Sequence, residues 1–268
     1  MGRNGATQVV LYTTLAVISL VVGCYINAGG GGCSTGNYRA KAQRTEEMTV
    51  PLTDITALDI TTNVGMIQLD SAEAAEAHIT AEITVRAKTE EEAQELVEQV
   101  RISAEPSGRG LVIKAIKPSG FGRNQLSVDF TIAAPGSLAV ECTTNVGDIR
   151  ITDFTDRVTA RTDVGKVICS GLRHDAELRT NVGDIRATYT PDAPAAIELA
   201  ATTNVGNVDF TGPSQISARL LASANIGSID TDRPLTVTGQ MKKSINATLG
   251  DAEGEITLRT NVGSIKIR

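Results

Sequence analysis

The chain has few of the side chains on which most enzyme sites and nucleic-acid surfaces are built. Of its 268 residues none is Trp, only 3% are aromatic, and two are His. A catalytic triad or a His-based metal site needs histidine beside other ligands, but His78 falls on a predicted strand and His174 between two repeats. The net charge of −6 argues against the basic face that a nucleic-acid binder needs. The sequence therefore predicts no catalytic residues, no cofactor, no metal and no nucleic-acid partner.

Glycines are plentiful, but they are not clustered before a helix as in a nucleotide-binding loop. They recur singly, each in a copy of the phrase Thr-Asn-Val-Gly followed by a small polar residue and Ile. The glycines of the copies are Gly65, Gly147, Gly165, Gly183, Gly206, Gly227 and Gly263. A phrase that returns in this way indicates a repeat architecture.

Apolar residues alternate with polar ones on both sides of each glycine, and the alternation slips by one residue at the glycine. Val140, Cys142 and Val146 precede Gly147, whereas Ile149 begins the next apolar series. A slip of one would turn the apolar side chains to the wrong face of a straight strand, so the backbone must bend there, and glycine allows positive φ. Each copy is predicted to be strand, glycine corner, strand, with the valine before the glycine buried. Stacked copies make a mainly all-β fold, a β-solenoid or β-helix-like stack of short rungs.

Three sets of residues beside the corners carry further expectations. The position two before the glycine predicts a ladder of side-chain amides rather than a metal site; it holds Asn63, Asn145, Asp163, Asn181, Asn204, Asn225 and Asn261. Asp148, Lys166 and Asp184 follow their glycines and are predicted to pair across strands on a solvated face. Cys142 and Cys169 both point inward, as free thiols or as a bridge across the core.

The first 48 residues read as targeting and tether segments. Residues 1–23 predict a signal peptide, with Arg3 before an uncharged run and Cys24 after a small residue. This junction resembles the bacterial lipobox, which implies a lipid on Cys24; the alternative is an uncleaved anchor over 9–26. Residues 24–48, with a run of four glycines, predict a flexible tether.

Residues 49–268 predict one folded domain. An insert over about 70–138 contains an alternating strand over 78–87, a helix over 89–100 with Thr89 and Glu92 as a capping box, and strands over 111–116 and 126–132. Regular rungs follow over about 139–268, with a weaker copy around Gly250. The last strand is expected to leave an open edge.

The order of these elements, with the ending T-L-G-D-A-E-G-E-I-T-L-R-T-N-V-G-S-I-K-I, resembles the bacterial adhesin-like family, a β-solenoid domain of unknown function common in cell-envelope proteins. The resemblance covers 50–268 and implies an extracytoplasmic, membrane-anchored protein. It brings no catalytic residues to carry over.

The predicted function is a non-enzymatic, membrane-tethered envelope module that binds or scaffolds, with charges on adjacent rungs as its contact surface. Its partner would be an envelope protein or a polysaccharide, and its oligomeric state is left open. The alternatives are a solenoid that assembles end to end through its open strand edge and, with less support, a polysaccharide-active β-helix enzyme. Enzymes of that kind usually need aromatic platforms and clustered carboxylates, and exposed aromatic residues are too few here.

Overall fold

The computed structural model describes residues 40–233, 236–241 and 243–268. The predicted signal peptide, Cys24 and the tether as far as residue 39 lie outside the described residues. The described part folds into 21 strands and one helix. The strands are β1 (Ala40–Pro51), β2 (Ala57–Thr61), β3 (Ile67–Ser71), β4 (Glu76–Ala87), β5 (Arg101–Ser107), β6 (Gly110–Ile116), β7 (Gln125–Ala134), β8 (Ala139–Val146), β9 (Ile149–Thr152), β10 (Val158–Val164), β11 (Val167–Leu172), β12 (Ala176–Val182), β13 (Ile185–Tyr189), β14 (Glu198–Val205), β15 (Val208–Thr211), β16 (Ala218–Ile226), β17 (Ile229–Thr231), β18 (Thr236–Met241), β19 (Ser244–Leu249), β20 (Gly254–Val262) and β21 (Ile265–Ile267).

The strands form two facing sheets that enclose one apolar core. Sheet A has ten strands in the order β1-β4-β7-β3-β9-β11-β13-β15-β21-β17, and sheet B has eleven in the order β18-β19-β16-β20-β14-β12-β10-β8-β2-β6-β5. A rung is one strand of sheet B, a glycine corner and one strand of sheet A. Neighbouring rungs pair in parallel and in register, so that Val158 faces Val140 on one side and Ala176 on the other. The prediction of a mainly β solenoid with one helix is confirmed.

The rungs do not stack in the order of the sequence. The C-terminal rung, β20 with β21, lies between the rung of β14 and the rung of β16, and β21 pairs with both β15 and β17. The prediction that the last strand leaves an open edge is therefore wrong. The weaker copy around Gly250 is not a rung either, because β19 runs antiparallel to β16 and Gly250 sits in the turn after it. Along the sequence, β16 therefore follows β14 without pairing with it. The strands β18 and β19 come next, and β20 then takes the position between β14 and β16.

The insert closes the other end of the stack. β7 pairs in parallel with β3 and extends sheet A, and β4 and then β1 follow it in antiparallel pairing. In sheet B, β6 pairs in parallel with β2, and β5 is antiparallel to β6. The helix α1 (Glu90–Gln99) begins as predicted, with the Thr89 hydroxyl accepting a hydrogen bond from the Glu92 N–H at 3.2 Å. It buries Ala93, Leu96 and Val97 and packs on β1 and β4.

The folded part begins earlier than the predicted tether allows, because β1 covers Ala40–Pro51. The polar composition of this segment predicted a tether, but the segment is a strand that pairs along its whole length with β4. Ala42, Met48 and Val50 point inward, and Arg44 is used internally: its guanidinium donates to the Val100 carbonyl at 2.5 Å and meets Glu46 at 3.1 Å.

Candidate binding surface

The glycine corners join the two sheets along one long ridge of the molecule. All seven glycines have φ between 139° and 153°, a region that side chains with a Cβ rarely adopt. At Gly165 an added Cβ would lie 2.0 Å from the carbonyl oxygen of Gly147. The backbones of successive corners are therefore in direct contact, and there is no room between them for a methyl group.

Three hydrogen bonds tie the corner of Gly165 to its neighbours, and the corners of Gly206 and Gly263 have the same set. At the middle of the stack the Gly165 N–H donates to the Val182 carbonyl at 2.9 Å. The Thr162 hydroxyl donates to the Gly147 carbonyl at 3.0 Å, and the Asp148 carboxylate accepts from the Lys166 N–H at 2.9 Å. The threonines of this set are buried, so the corners add a hydrogen-bonded polar row to the edge of the core.

The valines before the glycines are exposed, and the prediction that they are buried is wrong. Val146, Val164, Val182, Val205 and Val262 are 42–49% exposed. The bend begins one residue earlier than the sequence pattern indicates, so the threonine three residues before the glycine is the last inward side chain. The result is a line of aliphatic side chains along the ridge.

Beside this line runs the predicted amide ladder, and it has one break. Side-chain amides donate along the stack from Asn145 to Asn63 at 2.6 Å, from Asn204 to Asn181, and from Asn261 to Asn204 and Asn225 to Asn261 at 2.9 Å. Between these two segments stands Asp163, whose carboxylate cannot donate to the next amide. The break leaves the Asn145 carbonyl oxygen without a ladder donor. The Asp163 carboxylate could accept from the Asn181 amide, but no hydrogen bond joins these two side chains among the described residues.

A shallow groove of about 450 Å³ on sheet B surrounds the break. It is lined by Thr143, Thr144, Asn145, Arg161, Thr162, Asp163, Arg179, Thr180, Asn181, Thr202 and Asn204. Arg161 and Arg179 share one carboxylate oxygen of Glu177, at 2.8 and 3.0 Å. Both guanidinium groups are thereby held on the surface, and each keeps further N–H groups for a ligand. We call these residues the ladder-break groove.

Charged residues on sheet A form looser contacts. Lys166 lies 3.9 Å from Asp184, and Arg186 lies 3.5 Å from Asp209. These pairs are largely exposed, and exposed ion pairs contribute little stability. This face is solvated, as expected, and shows no concentration of one charge.

The remaining candidates for chemistry lie apart. His78 on β4 contacts the Thr49 hydroxyl at 3.1 Å, and His174 lies beside Asp175 between β11 and β12. Cys142 and Cys169 are buried free thiols, and burial raises the pKa of both. Among the described residues no group of three His, Cys, Asp or Glu side chains could hold a metal ion.

Reasoning from sequence missed the ladder-break groove, although its signal is visible. Asp163 is the one departure from Asn in its column, and Arg161 and Arg179 occupy the same position in adjacent rungs where two other rungs have Thr143 and Thr202. In the described residues no helix is long and apolar enough to cross a membrane.

This architecture defines a class of protein, a two-sheet parallel β-solenoid with ladders of repeated side chains along its corners. The chain belongs to the Toastrack DUF4097 family, whose profile matches residues 35–268. Its fold is similar to a structure provisionally named a cell adhesion protein from Clostridium sporogenes, with a TM-score of 0.51 and 14% identity over 84% of this chain and 98% of the other. A provisionally named adhesin from Bacteroides fragilis aligns with a TM-score of 0.42 and 16% identity over 84% and 97% of the two chains. No curated protein matches the chain significantly.

Proposed function

We propose that this protein is a non-catalytic binding module of the cell envelope, held at the membrane by its N-terminal segment and by a lipid on Cys24. Three features support the proposal: the lipobox-like junction at Cys24, membership of the Toastrack DUF4097 family, and a surface with repeated hydrogen-bonding groups. The adhesin names of the similar structures belong to those proteins, and the proposal extends that kind of role to this chain.

The observation that carries the proposal is the break in the amide ladder at Asp163. Elsewhere along the ladder, amides satisfy one another and have little left to offer a ligand. At the break the Asn145 carbonyl and the Asp163 carboxylate are free acceptors, and the Asn181 amide is a free donor. Arg161 and Arg179 add fixed guanidinium donors beside them.

Donors and acceptors alternating over adjacent rungs suit a hydroxyl-rich partner. A sugar hydroxyl both donates and accepts, and rungs repeat at about 4.8 Å, so successive hydroxyls of a polysaccharide can meet successive rungs. No aromatic side chain lines the groove, so recognition rests on hydrogen bonds, and affinity would come from many weak contacts along one chain. We therefore favour an envelope polysaccharide over a protein partner.

Co-sedimentation of the full chain with purified cell-wall polysaccharides tests this function. Asp163→Asn should weaken binding at least tenfold, because it removes the carboxylate and closes the ladder. Arg161→Thr, which installs the side chain found at Thr143 and Thr202, should weaken it about fivefold, the loss of one charged hydrogen bond to an exposed partner.

Arg259→Thr is the matched control, since Arg259 occupies the same column two rungs from Arg179 and does not line the groove. It should leave binding unchanged. Equal binding by wild type and Asp163→Asn, or equal losses for Arg259→Thr and Arg161→Thr, would contradict the proposed surface.

The tether is tested separately by mass spectrometry of the mature N-terminus. A lipid adduct on Cys24 as the first residue is expected, and it should disappear in Cys24→Ala. A membrane-bound chain that still begins at Met1 would instead support the uncleaved anchor.

A further inference from the structure

A second hollow lies at the end of the stack, above the corner of Gly65. Its volume is about 680 Å³, in the range of sites for small organic ligands. It is lined by Thr62, Asn63, Val64, Thr84, Arg86, Ala115, Lys117, Asn124, Gln125, Leu126, Ser127 and Val128. We call it the end cleft.

The end cleft lies where a loop joins a strand of sheet B to a strand of sheet A, in place of the glycine corners that join the strands of the described rungs. Two residues separate β8 from β9 at Gly147, but β6 and β7 are joined by residues 117–124. On the corner side of β7 the pairing begins where the Val128 N–H donates to the Val64 carbonyl at 2.8 Å. Since β7 starts at Gln125, its first three residues extend beyond the corner of Gly65. The cleft lies between these residues and the end of sheet B.

The charge in the end cleft is of one sign. Arg86 and Lys117 line it, and no Asp or Glu does. Among the described residues, neither cation has a carboxylate within ion-pair distance, although the whole chain carries a net charge of −6. The Lys117 ammonium is positioned instead over the ring of Phe121, 4.5 Å from its centroid. Two unpaired cations at one hollow favour an anion.

The rest of the lining argues that the anion carries an aliphatic part. Val64, Ala115 and Leu126, which are half-buried, form an apolar wall, and no aromatic side chain that would stack on a sugar ring or a base lines the cleft. The hollow is also far larger than an inorganic anion requires. The Asn124 amide already donates to Glu92 at 2.9 Å, and the Asn63 side-chain oxygen accepts from Asn145. The Gln125 amide and the NH2 group of Asn63 are therefore left for a ligand's polar atoms.

From these observations we propose that the end cleft binds an anionic amphiphile, a carboxylate or phosphate monoester joined to a short aliphatic chain. The head lies between Arg86 and Lys117, and the chain lies against Val64, Ala115 and Leu126. The same head chemistry occurs in free fatty acids and in lipid head groups, and both sources fit the cleft's lining. This site is separate from the ladder-break groove, with which it shares no lining residue.

Isothermal titration of the full chain with octyl phosphate and octanoate, both below micelle formation, tests the proposal. Both should bind, whereas inorganic phosphate and octyltrimethylammonium should bind at least tenfold more weakly. Arg86→Gln and Lys117→Gln should each weaken octyl phosphate about tenfold or more, the loss of a charged hydrogen bond. Lys114→Gln, on the same strand end but outside the lining, should have no effect.

The apolar wall has its own matched pair. Val64→Thr should weaken octyl phosphate about fourfold, as expected for the loss of one buried methyl group, while Val146→Thr, at the same position of the next rung, should leave it unchanged. Vesicles with and without phosphatidic acid, whose head group is a phosphate monoester, separate the two sources. Binding to the anionic vesicles that depends on Arg86 and Lys117 indicates a membrane head group, and binding of the monomers alone indicates a free amphiphile.

Three results would overturn the proposal. They are equal binding of the cationic amphiphile, equal binding of inorganic phosphate, and losses in Lys114→Gln or Val146→Thr as large as those of their cleft counterparts. Folding of every variant is checked by far-UV circular dichroism, so that a misfolded chain is not counted as a loss of affinity.

Discussion

The corners in the middle of the stack differ from the corner of Gly227 at its end. In the middle, a buried threonine hydroxyl donates to the glycine carbonyl of the next rung, as Thr180 does to Gly165 at 3.0 Å. In the Gly227 rung Ala224 stands in place of that threonine. The ridge residue there, Ile226, is 63% exposed, against 42–49% for the interior valines.

The difference shows what maintains the repeat. An interior rung has a neighbour on each side, so its corner must satisfy both, whereas the Gly227 rung has a rung on one side only. In repeat proteins stability is a sum of terms between nearest neighbours. A terminal rung therefore contributes fewer of these neighbour terms, and its sequence can differ from the repeated Thr-Asn-Val-Gly phrase.

The largest expected effect is that of adding a methyl group at an interior corner. Gly165→Ala would place Cβ 2.0 Å from the Gly147 carbonyl oxygen at a φ of +148°. Backbone strain and overpacking together should lower the free energy of unfolding by about 4 kcal/mol. Gly227→Ala meets a similar contact at 1.9 Å, but the terminal rung can shift outward, so its loss should be about half as large in urea unfolding.

Gly108→Ala is the control for the backbone term alone. Its φ is +62° and an added Cβ meets nothing within 4 Å, so a loss of about 1 kcal/mol is expected. If Gly165→Ala lost no more than Gly108→Ala, close stacking of the corners would not be what fixes glycine there.

The next effect tests whether the interior rungs exclude water. Burial raises the pKa of the Cys169 thiol to about 12, and burial, with Cys169 and nearby carboxylates, raises the pKa of Cys142 well above its usual range. A thiol whose pKa is raised on folding favours the folded state below its unfolded pKa of about 8.5, and that contribution is lost as pH rises towards the folded value.

Between pH 8.5 and 10 the Cys169 thiol alone should therefore remove about 2 kcal/mol from the free energy of unfolding. Cys169→Ala, which copies Ala187 in the adjacent rung, should flatten the pH profile. Peptide mapping after iodoacetamide treatment of the native chain at pH 8 should find Cys142 and Cys169 unmodified, and rapid labelling of either thiol would show that water reaches these rungs.

A smaller effect is expected when an interior corner is made to resemble the terminal one. Thr180→Val keeps the shape of the side chain but removes the hydroxyl that donates to the Gly165 carbonyl. The expected loss is about 1 kcal/mol, the net value of one hydrogen bond. Thr180→Ser, which keeps the donor, should lose less; the reverse ranking would show that shape and not hydrogen bonding decides this position.

The sequence predicts the rungs well because each repeats one local rule, an alternation interrupted by a glycine. It predicts α1 for the same reason, since Thr89, Ala93, Leu96 and Val97 obey a local helical period. It fails where position depends on distant pairing: the C-terminal rung has a standard phrase, yet only β14 and β16 decide that it lies between them. It fails likewise at Val146, because the alternation cannot show on which residue the bend begins.

The ladder-break groove shows both what the sequence can predict and what it cannot. That Asn residues would form a ladder follows from their repeated position, but each amide's direction of donation depends on its neighbours. Because all the described amides donate the same way along the stack, one carboxylate is enough to divide the ladder. The sequence shows the substitution at Asp163, and only the structure shows that it frees groups on both sides.

The smallest expected effect follows from repairing that break. Asp163→Asn should let the new amide donate to Asn145 and accept from Asn181, joining the two segments of the ladder. Exposed hydrogen bonds of this kind contribute little, so the free energy of unfolding should rise by about 0.5 kcal/mol. Asn181→Asp leaves Asp163 in place, so it extends the break by one rung and sets two carboxylates beside each other. It should lower the free energy of unfolding by a similar amount.

This pair also distinguishes a structural role of the break from a binding role. If Asp163 serves binding, Asp163→Asn gains stability and loses affinity for polysaccharide, since binding needs the groups that the ladder would otherwise consume. If the carboxylate instead stabilises the fold through Arg161 and Arg179, the variant loses stability, and the loss shrinks as salt screens the charges. Urea midpoints of the wild type and both variants at low and high salt separate the two, because the amide ladder is uncharged and its repair should be nearly independent of salt.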